Sequence, residues 1–183
     1  GKKVNNTDLI YFDNAATSQT PNQVIDAISN YYKENNSNIH RGLHSLSADA
    51  TNKYENSRSI IKNHFGAAHE HEIIFTSGTT HGINIISSGL EKSISSKDEL
   101  IVSEMEHHSN IVPWQMLCEK TGSKLKVLPI NDDGTLDMDE YNSLLTPKVK
   151  FVFINHVSNT LGIVNPLKEI IDLAHKNGSK VLV

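Results

Sequence analysis

Four short, nearly continuous apolar runs in the later part of the chain constrain its fold more than any other feature. They lie at 100–103, 125–130, 149–154 and 180–183, and segments with helical periodicity separate them. Strands that are apolar on both faces are buried on both, and parallel strands need helical crossovers. The alternation therefore predicts an α/β fold, with a mainly parallel, doubly wound sheet and helices on both of its faces.

Helices are also predicted ahead of this sheet. Thr20 and Pro21 suit the cap and the first position of a helix. Its expected buried face consists of Val24, Ile25, Ile28 and Tyr31. A longer amphipathic helix is predicted from about Ser47 to Phe65, and Gly66 is its natural C-terminal stop.

The segment from Phe75 to Asn84 is predicted to contain the end of a strand, a tight turn and the start of a helix. The strand would be Ile73–Phe75, and the turn holds one glycine and four hydroxyl residues. A helix start offers backbone N–H groups without intrahelical partners and the positive end of the helix dipole. Such a turn suits a phosphate group, and an ordinary N-cap without a ligand is the alternative.

Polar stretches follow three of the predicted strands, at 77–81, 107–110 and 156–159. Ligands of doubly wound sheets bind beyond the carboxyl ends of the strands, so we expect the binding site there. The adjacent His107 and His108 should point in different directions, and no metal site is predicted from them. Taken alone, Asn159 also fits a turn, and His40 with Arg41 also fits a solvated loop.

Composition excludes several classes of protein. The 183 residues are 37% hydrophobic and 21% charged, with a net charge of −4, which gives no reason to expect nucleic acid or an anionic membrane as partner. No apolar stretch is long enough to span a bilayer, and the start does not resemble a signal peptide. The single cysteine, Cys118, fits a reducing compartment, and we expect it to be a buried packing residue in a cytoplasmic protein.

The run Val181–Val183 has the pattern of a central strand, yet nothing follows it. We therefore expect this chain to be the front part of a longer protein.

Five separated motifs, in this order, resemble the front part of a SufS-type cysteine desulfurase, in the class V aminotransferase group of pyridoxal-phosphate enzymes. They are residues 12–17, 40–44, 77–84, 105–115 and 156–162. The resemblance implies an incomplete large domain of the fold type I pyridoxal-phosphate transferases. Residues 1–66 would form an N-terminal segment with helices and a substrate-side loop, and residues 67–183 the front of the cofactor-binding domain.

The resemblance also implies roles for particular residues. Thr80, with the backbone of Thr79, would hold the phosphate of pyridoxal 5'-phosphate, and His107 would stack on its ring. Asn159 would bond near the ring hydroxyl and the substrate carboxylate. The other expected substrate-side residues are Ala15, Ala16, His40 and Arg41.

The implied reaction removes sulfur from L-cysteine, giving L-alanine and an enzyme persulfide for iron–sulfur cluster assembly. In the family, the Schiff-base lysine and the persulfide cysteine come later than Val183, so this chain alone is predicted to be inactive and to hold no catalytic residue. The family further implies a homodimer and a sulfur-acceptor protein of the SUF system. Alternatives are a selenocysteine lyase, another class V enzyme, or a truncated, non-catalytic binding module.

Overall fold

The computed structural model describes residues 2–183. Its contacts divide the chain into two compact units, one ending at Phe75 and the other running from Thr76 to Val183. The division that the sequence predicts, after Gly66, concerns the extent of the cofactor-binding domain and stays a prediction. Within residues 2–183, no helix is both long and apolar enough to cross a membrane.

The first unit consists of a small hairpin and helices. Its elements are β1 (Lys3–Val4), β2 (Thr7–Asp8), α1 (Asn22–Asn30), a π-helical turn (Tyr31–Asn35), α2 (Ser45–Phe65) and a 3-10 turn (Glu70–Glu72). Strands β1 and β2 pair antiparallel. Gly66 ends α2 in the left-handed conformation, with φ of 68°, as the sequence predicts.

Helix α1 forms close to where it is predicted, but the expectation that its apolar face is buried is wrong. Val24, Ile25 and Ile28 are 44%, 50% and 54% exposed. Tyr31, the fourth residue of the expected face, is half-buried. Periodicity identifies the apolar face of a helix, whereas burial depends on a partner surface.

The second unit is a parallel sheet with helices. The strands are β3 (Glu99–Ser103), β4 (Lys124–Leu128), β5 (Val149–Phe153) and β6 (Lys180–Leu182). The helices are α3 (Thr79–Leu90), α4 (Val112–Thr121), α5 (Met138–Leu144) and α6 (Leu167–Lys176). The strand order is β4-β3-β5-β6, and every neighbouring pair is parallel, which confirms the predicted fold class.

Alternate residues of the central strands enter two separate cores, so the sheet is covered on both faces. Leu100 and Val102 pack in one core, with residues of α3 and α4 that include Ile83 and Trp114. Ile101 packs in the other core, with residues of α5 and α6. The rings of Trp114 and Phe153 stack with centroids 3.6 Å apart. Both helical layers are therefore fixed by the alternation of side chains along β3 and β5.

The predicted strand at Ile73–Phe75 is absent, because this segment is extended but pairs with none of the named strands of residues 2–183. The Ile73 carbonyl instead accepts a hydrogen bond from the Arg58 guanidinium of α2. The same guanidinium lies 4.9 Å from the centre of the Phe75 ring. An apolar run becomes a strand only where a neighbouring strand can satisfy its backbone.

Candidate active site

The carboxyl ends of β3 and β5 lie side by side, because the two strands are parallel neighbours in register at Val102 and Phe153. The loop after β3 carries His107, and the loop after β5 carries Asn159. The structure therefore brings these two predicted residues onto loops at the same edge of the sheet, as the sequence predicts. The third polar stretch, 77–81, does not directly follow a strand, because Ile73–Phe75 is unpaired.

The turn at Gly78 opens α3 and presents backbone N–H groups. Gly78 is the N-cap residue, and the first hydrogen bond of the helix runs from the Gly82 N–H to its carbonyl at 3.0 Å. Within residues 2–183, the N–H groups of Thr79, Thr80 and His81 have no hydrogen-bond acceptor. Three adjacent donors at the positive end of a helix can bind an anion.

Side-chain hydrogen bonds within the same turn stabilise its conformation. The Ser77 N–H donates to Nδ1 of His81 at 3.3 Å, and Oγ of Ser77 lies 3.0 Å from that nitrogen. The Thr76 hydroxyl donates to the Gly78 carbonyl at 3.1 Å. These contacts hold the turn in shape without using the three donors of the first helical turn. His81 was not predicted as a site residue, although it stands four residues after Ser77, where a helix can return a side chain to its own cap.

Helix α3, which begins after the turn at Gly78, packs against the start of α4 within the second unit. Helix α3 contacts both the 3-10 turn His108–Asn110 and α4. The Ser87 hydroxyl donates to the Pro113 carbonyl at 3.0 Å. The element that presents Thr79 and Thr80 is thus packed directly on the element that follows His107.

The imidazole of His107 is held by one of its nitrogens. His107 is the N-cap of the 3-10 turn, and its Nδ1 accepts a hydrogen bond from the Ser109 N–H at 3.2 Å. A neutral imidazole that accepts at Nδ1 carries its proton on Nε2. The ring of His108 is nearly perpendicular to it, at 85°. The exposed His107 ring therefore has a defined orientation and a donor on its outer nitrogen.

Asn159 lies in a compact loop after β5. Ser158 organises this loop: its hydroxyl accepts from the Leu161 N–H at 3.1 Å, and its carbonyl accepts from the Gly162 N–H at 2.9 Å. Val157 and Val164 form an antiparallel bridge that closes the loop. The Asn159 side chain is exposed, and within residues 2–183 it makes no hydrogen bond.

The other predicted substrate residues all belong to the first unit. Ala15 and Ala16 lie in an exposed turn. His40 has a φ of 60°, and its Nε2 lies 3.1 Å from the Glu55 carboxylate. Arg41 is exposed in the same loop. The assignment of these four residues to a substrate pocket stays a prediction.

Cys118 is a packing residue, as expected. It is half-buried on α4 beside the core that contains Trp114. Burial raises the pKa of its thiol, although a hydrogen bond from the Ser123 hydroxyl, 3.2 Å away, acts in the opposite direction. A thiol that is protonated in this way is a poor nucleophile. Within residues 2–183, no group of three His, Cys, Asp or Glu side chains could hold a metal ion.

Sequence reasoning missed a buried polar network between the two loops. Glu106 is 8% exposed, and its carboxylate accepts hydrogen bonds from the Ser103 hydroxyl, the Asn110 amide and the Asn155 N–H. The Asn155 side chain donates to the Met105 carbonyl at 3.1 Å and accepts from Asn165 at 2.8 Å. The only signal in the sequence is an acidic residue immediately before the expected stacking histidine.

Fold and site together define an α/β protein in which two polar loops lie at the carboxyl edge of a parallel sheet and one helix, α3, begins with backbone N–H groups that are free to bind a ligand. The family model described as "Aminotransferase class-V" matches residues 10–183. The chain therefore belongs to the class-V aminotransferase family.

The chain is similar to several proteins named cysteine desulfurase. The chain is 47% identical to a cysteine desulfurase of Shigella sonnei over its whole length, which is 45% of that relative. It is 45% identical to a cysteine desulfurase of Synechococcus elongatus, covering 29% of it. The solved apo structure of a cysteine desulfurase from Thermococcus onnurineus matches 94% of this chain and 42% of its own, with a TM-score of 0.89 and 39% identity. The chain thus spans less than half the length of each of these three relatives.

Proposed function

We propose that the protein to which this chain belongs is a pyridoxal-phosphate-dependent cysteine desulfurase, and that this chain supplies its phosphate turn and one wall of its cofactor site. The observation that carries the proposal is the row of three backbone donors at Thr79, Thr80 and His81. These donors occur in a chain that is 45–47% identical, over its full length, to relatives named cysteine desulfurase.

The residues present fit the phosphate of this cofactor. Gly78, the N-cap, has no side chain. The space beside it is open, because no atom lies within 4 Å of where a Cβ would stand. The N–H groups of Thr79 and Thr80 and the Thr80 hydroxyl can all donate to phosphate oxygens. The dipole of α3 adds to the attraction, because its positive end faces the same place.

Two side chains are assigned to the cofactor ring. His107 would lie against the ring, and its Nε2 would hold a proton that it can donate to a neighbouring oxygen. The Asn159 amide would bond the ring hydroxyl and the substrate carboxylate, since it can both donate and accept. When bound, pyridoxal 5'-phosphate supplies the electron sink that carbon–sulfur cleavage requires.

The finer parts of the proposal concern the rest of the protein. The substrate is L-cysteine, bound with the help of Ala15, Ala16, His40 and Arg41, and the products are L-alanine and a persulfide for iron–sulfur cluster assembly. The nucleophilic cysteine and the Schiff-base lysine belong to residues after Val183. We further propose a cytoplasmic homodimer that passes sulfur to an acceptor of the SUF system.

The test uses the full-length protein. Addition of pyridoxal phosphate should give visible absorbance, and L-cysteine should then be converted to alanine with release of sulfide in the presence of a thiol. Selenocysteine serves as the competing substrate, and preferential turnover of it would favour a selenocysteine lyase. Protein that gains no visible absorbance and makes no alanine would contradict the proposal and leave a binding module.

A further inference from the structure

The buried carboxylate of Glu106 joins the loops that follow two neighbouring strands. Its Oε1 accepts from the Ser103 hydroxyl at 2.5 Å and from the Asn155 N–H at 2.7 Å. Its Oε2 accepts from the Asn110 amide at 2.8 Å. Glu106 also directly precedes His107 in the chain, so its position sets where the backbone of the histidine begins.

The hydrogen-bond donors and acceptors of this network can be assigned in only one way. The Asn155 backbone N–H can only donate, so Oε1 must be an acceptor. The orientation of the Asn110 amide is fixed because its Oδ1 accepts from Nε1 of Trp114 at 2.9 Å, and the indole N–H can only donate. Asn110 must therefore present its NH₂ group to Glu106. Both carboxylate oxygens face obligatory donors, and only an acceptor on each side satisfies them.

Each partner of Glu106 belongs to a different element. Ser103 ends β3, Asn110 precedes α4, and Asn155 lies in the loop after β5, four residues before Asn159. The Asn155 side chain returns to the Met105 carbonyl at 3.1 Å, which ties the two loops together a second time. A buried carboxylate with both oxygens satisfied holds its partners in one arrangement.

We propose that Glu106 is a positioning residue, which sets His107 and Asn159 at the distance and angle that a planar cofactor needs between them. The inference rests on the proposed function, because that function assigns the two residues to the cofactor. Glu106 itself is buried and acts only through the loops that it joins.

The experiment compares Glu106→Gln with a variant that restores polarity, in full-length protein. The substituted glutamine keeps the shape, but its NH₂ group must oppose either the Asn155 N–H or the Asn110 amide. The second change Asn110→Asp removes that conflict, because the new carboxylate can accept both from the glutamine NH₂ group and from the Trp114 indole. Glu104→Gln is the matched control, since Glu104 is an exposed glutamate of the same loop.

Two measurements distinguish positioning from stability alone. The first is the ¹⁵N spectrum of the His107 imidazole in protein without cofactor, which does not depend on the proposed function. The second is the visible circular dichroism of bound pyridoxal phosphate, together with kcat/KM. We expect E106Q to shift the His107 signals, to weaken the dichroism and to lower kcat/KM by at least about tenfold, because His107 and Asn159 would no longer be held in the geometry that the cofactor needs. The double variant should recover to within about threefold.

An E106Q protein that only melts earlier, with unchanged His107 signals and dichroism, would overturn the positioning role, as would a double variant no better than E106Q. If E106Q does not fold, Ser103→Ala removes one of the three donors, and a smaller shift of the same His107 signals is expected. If the wild-type protein binds no pyridoxal phosphate but E106Q still shifts the His107 signals, the proposed function is wrong, whereas the effect of Glu106 on the position of His107 is confirmed.

Discussion

Replacing Gly78 by alanine tests the geometry of the turn that opens α3. Gly78 has φ of 148° and ψ of 173°, a region of backbone conformation that is essentially restricted to glycine. A Cβ at this position would meet nothing within 4 Å, so the cost comes from the backbone and not from a clash.

The expected size of the effect follows from that strain. Holding a residue with a Cβ in this region costs about 1–3 kcal/mol. If the turn keeps its shape, the free energy of unfolding falls by this amount. If the turn relaxes instead, the N–H groups of Thr79 and Thr80 move from their places, and pyridoxal phosphate should bind about 5- to 150-fold more weakly.

Gly89 supplies the matched control, because it lies in the same helix and a Cβ there would also meet nothing within 4 Å. Its backbone is helical, so Gly89→Ala should stabilise the protein by about 0.5–1 kcal/mol. Denaturant unfolding and titration with pyridoxal phosphate would measure both variants. A Gly78→Ala protein as stable as Gly89→Ala, with unchanged cofactor affinity, would refute the described turn.

Three further predictions concern other positions. Thr80→Val should raise the Kd of pyridoxal phosphate at least about tenfold, since it would remove the proposed hydrogen bond to the charged phosphate, while the melting temperature without cofactor stays the same. Gly66→Ala should lower the free energy of unfolding by about 1 kcal/mol, because φ is 68° at the end of α2. Hydrogen bonds from Lys126 and then Thr146 lower the pKa of the Glu99 carboxyl. Its ionised form thus stabilises the fold above the ordinary glutamate pKa, and this contribution is lost as pH falls through the lowered value. Acid unfolding of Glu99→Gln should therefore show a weaker dependence on pH in that range.

The sheet could be predicted because its strands carry their signal locally. Each apolar run from β3 to β6 is short and continuous, helical segments separate these runs, and such a pattern fits little besides a buried parallel sheet. The predictions failed at Ile73–Phe75 and on α1 because an apolar pattern does not by itself supply a partner. Ile73–Phe75 pairs with no named strand of residues 2–183, and Val24, Ile25 and Ile28 of α1 are exposed.

Candidate site residues could be proposed from the sequence where polar groups are concentrated in a short motif. The hydroxyl-rich turn at Thr79 and Thr80 and the histidine after β3 are visible in the sequence. Glu106 is not, because its role depends on an N–H of Asn155, 49 residues away, which only the pairing of β3 and β5 brings near. A buried charge can be interpreted only when its partners are known.

The most direct test of the account is an experimental structure of the full-length protein with pyridoxal phosphate bound. We predict phosphate oxygens within hydrogen-bond distance of the N–H groups of Thr79 and Thr80, and the His107 ring parallel to the cofactor ring. A phosphate bound away from the start of α3, or a cofactor ring that does not touch His107, would contradict it.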